Sequence, residues 1–238
     1  MNMKKYILTL LALMASAATY AQYFSTKNGT ELVYVNYDEA GQSTSTETMT
    51  VRKASKKSSA YSAEYIDKIV NQKSKNNTSY SRFLWTYSGG NTVCTEDLMY
   101  GIYIDNDSDP DVYNDEIMNA LKSDNKFKGD NSFTLKDKPK GGEAFDDRSY
   151  SLTTSILKKE VTVSGGSYLA SEELSTTAGK FSCIKITYLQ QTKSAVVKKE
   201  TLRITEWYAK GVGLVKRETY NTKGELQGKT LLTRITEK

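Results

Sequence analysis

Residues 30–53 read TELVYVNYDEAGQSTSTETMTVRK, and the alternation in this stretch decides the fold. Leu32, Tyr34 and Asn36 face one way and Val33, Val35 and Tyr37 the other, as in a half-buried strand. Asp38-Glu39-Ala40-Gly41 then supplies a turn whose last residue is free to take a positive φ, and a Thr/Ser-rich strand runs on to about Lys53. The far end repeats this plan. Leu214 to Tyr220 leads into Asn221-Thr222-Lys223-Gly224, and a strand leaves through Leu231, Thr233 and Ile235. Convergence on good turn chemistry accounts for the match as well as internal duplication does.

Between these hairpins the β signal continues. Seventeen tyrosines and only two prolines accompany many Thr and Val residues, which fit a pleated surface. Tyr61 to Gln72 suits a helical stripe but also alternates, and the polar turn Lys75-Asn76-Asn77 before the aromatic strand Ser79 to Tyr87 argues for a second hairpin. Met99 to Asp105 reads as another strand. One helix is expected from Asp109, with Asp109 as cap, Pro110 in the first turn and Val112, Ile117, Met118 and Leu121 as its apolar face. The charged stretch 124–142 looks like a seam between two halves. Beyond it, strands recur between Gly165-Gly166, Ala178-Gly179 and Gly211. The expected fold is mainly β: a curved antiparallel sheet, half-barrel or barrel-like, with one short helix.

The first residues have the zones of a secretory leader. Lys4 and Lys5 precede an uncharged run from Ile7 to Ala18, and Thr19-Tyr20-Ala21 places small residues where a signal peptidase reads. The run is shorter than the ~20 residues of a spanning helix. The expectation is a signal peptide over 1–21 and one β-rich domain over 22–238, located in the periplasm or outside the cell, with no transmembrane anchor. Removing Lys4 and Lys5 leaves 31 basic against 28 acidic residues, net +3, too small an excess to imply nucleic acid.

Chemistry is sparse. The chain has no histidine, which removes Ser-His-Asp and Cys-His systems and the common zinc sites. No phosphate-cradling glycine loop is present, since Gly211-Val212-Gly213 lies in a strand pattern. No catalytic residue and no cofactor are expected, and the protein is read as non-enzymatic. Asp105, Asp107, Asp109 and Glu116 copy part of a calcium loop, but Pro110 stands where such a loop needs glycine. The competing reading is a polar turn that caps the helix. Cys94 and Cys183 are the only cysteines, and an oxidising compartment favours one disulfide, worth about 4 kcal/mol in the chain-entropy account. Two unpaired thiols are the alternative.

Two segments carry a resemblance. Thr177-Ala178-Gly179-Lys180-Phe181-Ser182-Cys183-Ile184-Lys185-Ile186, and Glu206-Trp207-Tyr208-Ala209-Lys210-Gly211-Val212-Gly213-Leu214-Val215-Lys216 with the hairpin after it, resemble the TapB-like family of exported bacterial proteins. That resemblance implies kinship with LolA-like half-barrels, antiparallel sheets curled round an apolar groove with helical lids. Two roles follow as expectations. One is an envelope protein binding an apolar ligand, a glycan or a partner protein on a concave sheet face. The other is a structural or assembly factor docking onto envelope components.

Overall fold

The structure is a computed structural model and describes residues 20–72, 78–98, 126–154, 158–195 and 197–238. The expected helix at Asp109, the calcium candidates Asp105, Asp107, Asp109 and Glu116, and the body of the leader lie outside these residues. Among the described residues there is no helix.

Fourteen antiparallel strands form one sheet. The first meander holds β1 (Glu31–Asp38), β2 (Ser43–Lys57), β3 (Ala60–Asn71), β4 (Thr78–Ser88) and β5 (Asn91–Asp97). Two short strands follow, β6 (Lys126–Gly129) and β7 (Phe133–Lys136), then β8 (Ala144–Phe145). The second meander holds β9 (Arg148–Thr153), β10 (Lys158–Thr176), β11 (Gly179–Ser194), β12 (Glu200–Ala209), β13 (Gly213–Tyr220) and β14 (Leu226–Thr236). The order is β6-β9-β10-β11-β12-β13-β14-β1-β2-β3-β4-β5-β7, with β8 paired to β10. The meanders therefore meet in the middle, where Tyr34 of β1 stands opposite Leu232 of β14.

The stretch expected as a seam supplies both outer strands. β6 ends at Gly129 and β7 begins at Phe133, so four residue steps, at most about 14 Å, separate the two edges. The sheet must curl until its edges nearly meet. Asp130 N–H donates to Ser149 O (3.0 Å) on the β9 side, and Asn131 Nδ2 donates to Glu96 O (2.6 Å) on the β5 side. Tyr168 of β10 ties the same gap lower down, accepting from Lys136 N–H (2.9 Å) and donating to Thr134 O (3.3 Å). The ladder itself stays open there, since no bond pairs β6 with β7.

The two quoted hairpins share one turn. Gly41 N–H bonds Asp38 O and Gly224 N–H bonds Asn221 O, each at 3.0 Å, and both glycines take a positive φ (75° and 84°). Asp38 Oδ1 and Asn221 Oδ1 accept from Gln42 N–H and Glu225 N–H, an Asx closure of the same loop. Tyr61 to Gln72 resolves as strand: every residue of β3 from Ala60 to Asn71 is paired with β2. The glycine pair Gly165-Gly166 does not end a strand. β10 runs through it with a register shift between Ser164 and Ser167, because the backbone bends there over Phe145. A Cβ on Gly166 would stand 2.8 Å from that ring.

One end of the concave side is a filled core. Tyr23 and Phe24 precede β1 and insert between the walls. Phe24 meets Trp85 at 6.0 Å between ring centroids, Trp85 meets Phe133 at 5.7 Å, and Phe133 meets Tyr208 at 5.8 Å. These rings come from the N-terminal segment, β4, β7 and β12, so the apolar layer bridges both meanders. Backbone polarity in the inserted segment is satisfied: Tyr23 N–H donates to Thr92 Oγ1, Ser25 N–H to Tyr65 Oη, and Gln22 O accepts from Gly211 N–H.

The expected Cys94–Cys183 disulfide is corrected: both cysteines are free and buried. Cys94 packs with Trp85 in the inner core, whereas Cys183 joins Trp207, Ala209 and Val215 in a separate cluster. The alternation of β11 explains this. Ile184 and Ile186 point inward, so Cys183 points outward, and a bridge would have to pass through the sheet.

Candidate functional site

Past the aromatic layer, the inward positions become polar. On β12, Ile204, Glu206 and Tyr208 share the inner face, and Glu206 stands opposite Arg217 of β13. Arg217 stands opposite Thr230 of β14, and Thr230 opposite Asn36 of β1. The row continues through Ser45 and Glu47 of β2 to Asp67 of β3 and Glu96 of β5. Charges on the inner face of a curled sheet are costly unless paired or wetted, so each has a physical reason to be examined.

Arg217 is fixed at one point. Its Nε donates to Glu206 Oε1 at 2.7 Å, and Tyr208 Oη donates to Glu206 Oε2 at 3.0 Å. The Glu206 side chain is 3% exposed, but that of Arg217 is 42% exposed. The Arg217 side chain, though on the inner face, thus keeps contact with solvent. Among the described residues, Nε alone of its donors is engaged, which leaves the terminal amino pair free. Burial works against the guanidinium charge, yet Glu206, Tyr188, Tyr208 and Glu47 together hold its pKa well above the usual value.

From Arg217 a polar shelf leads to the acidic wall. Thr230 Oγ1 donates to Asn36 Oδ1 (2.5 Å), and Asn36 Nδ2 donates to Ser45 Oγ (3.0 Å) and Glu47 Oε2 (3.5 Å). Burial raises the pKa of Glu47, opposed by Arg217 and the Asn36 hydrogen bond. Burial likewise raises Asp67, and Glu47 and Glu96 add to the effect while Arg217 opposes it. Asp67 is 4% exposed, and its Oδ1 has no hydrogen-bond partner. Glu96 is raised by burial, with Lys159 the leading opposing charge. Lys159 shares the inner face of β10 with Val161 and Val163, yet forms no ion pair with Glu96. A second guanidinium, Arg148 of β9, lies 5.3–5.8 Å from the ring centroids of Phe145, Phe133 and Tyr188.

The inner face is therefore uneven: Glu47, Asp67 and Glu96 lie on the first meander, and Arg148, Lys159 and the Arg217–Glu206 pair on the second. None of these residues was singled out from sequence. The signal was present as charges at inward positions, Glu206 within the apolar run Ile204–Ala209 being the plainest. Reading it required the pairing of distant strands.

Of the residues singled out from sequence, Cys94 and Cys183 lie in different layers and form no site. Burial raises the Cys94 thiol well above its usual pKa and pushes Cys183 up to about 12, which favours the protonated thiol at both. Among the described residues no group of Asp, Glu and Cys side chains is arranged to hold a metal ion. A separate cavity of about 460 Å³ opens near Tyr23, lined by Lys180, Ser182, Ile184 and Lys210. Its Lys210 is paired with Asp137.

Two solved structures share the architecture. One is a protein of Bacteroides fragilis NCTC 9343, assigned as exported and described as having a YmcC-like fold. It has 23% identity and a TM-score of 0.68, covering 90% of this chain and 98% of its own. The other is from Parabacteroides distasonis ATCC 8503 and assigned as a lipoprotein, with 20% identity, a TM-score of 0.69 and the same coverages. No curated protein matches the chain. The family model described as DUF3108-like matches residues 27–232. The chain belongs to the DUF3108-like family.

Proposed function

We propose that this is a non-enzymatic protein of the bacterial envelope that binds a small anionic group at the charged end of its concave sheet face. The reading of 1–21 as a signal peptide, and the exported and lipoprotein assignments of the two similar structures, support the location. Among the described residues no helix is long and apolar enough to cross a membrane. The observation that carries the binding role is Arg217: Glu206 anchors its Nε, the terminal pair is free, and the side chain keeps contact with solvent. A guanidinium held this way presents a planar fork to a carboxylate, a phosphate or an acidic sugar.

Tyr23 and Phe24 fill the aromatic end of the curl, which favours the polar end as the place for a ligand. A docking role has less support. The exposed apolar residues Leu84, Val70, Phe127, Leu169 and Leu189 are spread over five strands, and scattered surface apolars are ordinary.

Calorimetric titration with inorganic phosphate, glucuronate and neutral glucose tests the reading. Wild type is expected to bind the two anions and ignore glucose. Arg217→Lys keeps the charge but loses the fork, and is expected to weaken anion binding about tenfold or more. Arg217→Gln combined with Glu206→Gln removes the buried pair together, avoids stranding one charge, and should abolish binding. Unchanged anion affinity in the folded double variant would contradict the proposal.

A further inference from the structure

The charged end has two walls, and one anion would use only one of them. On the inner face of β3, four strands along the sheet from Arg217, stands a carboxyl, Asp67, whose Oδ1 is buried and lacks a partner. An unpaired polar atom in such a place costs free energy, about 1–3 kcal/mol for a typical group, unless something supplies a donor. Glu47 lies diagonal to it across the β2–β3 pair: Glu47 stands opposite Ile69 and Asp67 opposite Met49. Glu96 faces inward two strands further on. Between this wall and Arg217, along the strand register, lie the neutral donors and acceptors of Thr230, Asn36 and Ser45.

Resting on the anion-binding reading above, we infer that the site takes a zwitterionic group, its anion on the Arg217 fork and its ammonium between Asp67 and Glu47. An ammonium has three donors, one for the orphaned Oδ1 and others for Glu47 and a shelf oxygen. Its charge also answers the electrostatic problem of the wall. Burial keeps the Asp67 and Glu47 carboxyls towards their neutral forms, at Asp67 with Glu47 and Glu96 adding to it, and an arriving cation removes that penalty. A lone anion would leave Oδ1 unsatisfied. A lone cation would leave the guanidinium fork empty. The shared chemistry is an amine a short spacer away from a phosphate or carboxylate, whether carried free or as a lipid head group.

The test uses the purified chain and three probes: phosphoethanolamine, inorganic phosphate and ethanolamine. Phosphoethanolamine is expected to bind at least about tenfold more tightly than phosphate, with ethanolamine weaker than both. Asp67→Asn keeps the side-chain shape and should erase most of that advantage while leaving phosphate affinity unchanged. Glu47→Gln should do the same in part. If phosphate and phosphoethanolamine bind wild type equally, the zwitterion inference fails while the anion reading survives. If neither binds, both fail. Equal weakening of phosphate and phosphoethanolamine in Asp67→Asn would reduce Asp67 to a structural role and overturn the inference. Flotation with phosphatidylethanolamine vesicles, against phosphatidylglycerol controls, then separates a lipid-borne head group from a free one. Once the free probe has bound, the inference stands for either source.

Discussion

Asp67 occupies an inward position on β3 where water is nearly excluded, and its carboxyl is raised to about 9, first by burial and then by Glu47. An unfolded aspartate titrates near ~3.9, so between about pH 4 and 9 the folded chain holds a proton that the unfolded chain does not. The protein therefore gains most from this group below pH 4, and loses that contribution as pH rises through about 9. Asp67→Asn has no such titration. Its melting temperature should exceed that of wild type near pH 9 and converge with it below about pH 4. Parallel pH curves for the two proteins would rule this out. The thiols give a second check at the same scale. After denaturation without reductant, both Cys94 and Cys183 should alkylate, and an unmodified, disulfide-linked mass would restore the bridge that composition favoured. Two cysteines in an exported chain indicate compartment, but not which face of a strand each occupies. Strand parity does carry that information: Ile184, Ile186 and Tyr188 are the buried face of β11, and Cys183 is out of phase with them.

At the scale of elements, alternation was the most legible feature. The β1–β2 and β13–β14 hairpins could be read from their Asp/Asn-to-Gly turns because the physics there is local. β3 was less plain, since Tyr61, Tyr65, Ile66, Ile69 and Val70 satisfy two periods at once; the polar turn before Ser79 argued for a hairpin, and the pairing with β2 and β4 bears it out. Gly165-Gly166 misled for a related reason. A glycine pair usually ends a strand, but here it lets β10 pass close over Phe145. The segment Gln22–Ser25 was also invisible, because short polar-flanked aromatics give no periodic signal. Its packing makes a prediction. Phe24→Ala should destabilise the fold by about 3–5 kcal/mol in urea unfolding, the cost of emptying a buried aromatic site. A change within a few tenths of a kcal/mol would mean that the segment merely rests on the core.

For the whole molecule, the decisive relation is between the two meanders. Their charges face each other only because β1 joins β14 and because 130–132 spans the two sheet edges. Neither relation leaves a mark in local sequence, which is why the curved sheet was legible and the charged interior was not. The resemblance to half-barrels with a lidded apolar groove implies lipid tails as a ligand. The reading proposed here places a small charged group at the polar end of the same curled sheet instead. The most direct measurement is a crystal structure of the chain grown with phosphoethanolamine. The account predicts phosphate density on the terminal nitrogens of Arg217, the amine within hydrogen-bond reach of Asp67, and Tyr23 and Phe24 still in place. A structure with the Arg217 fork closed onto Glu47 or Asp67, and the probe bound elsewhere or absent, would contradict it.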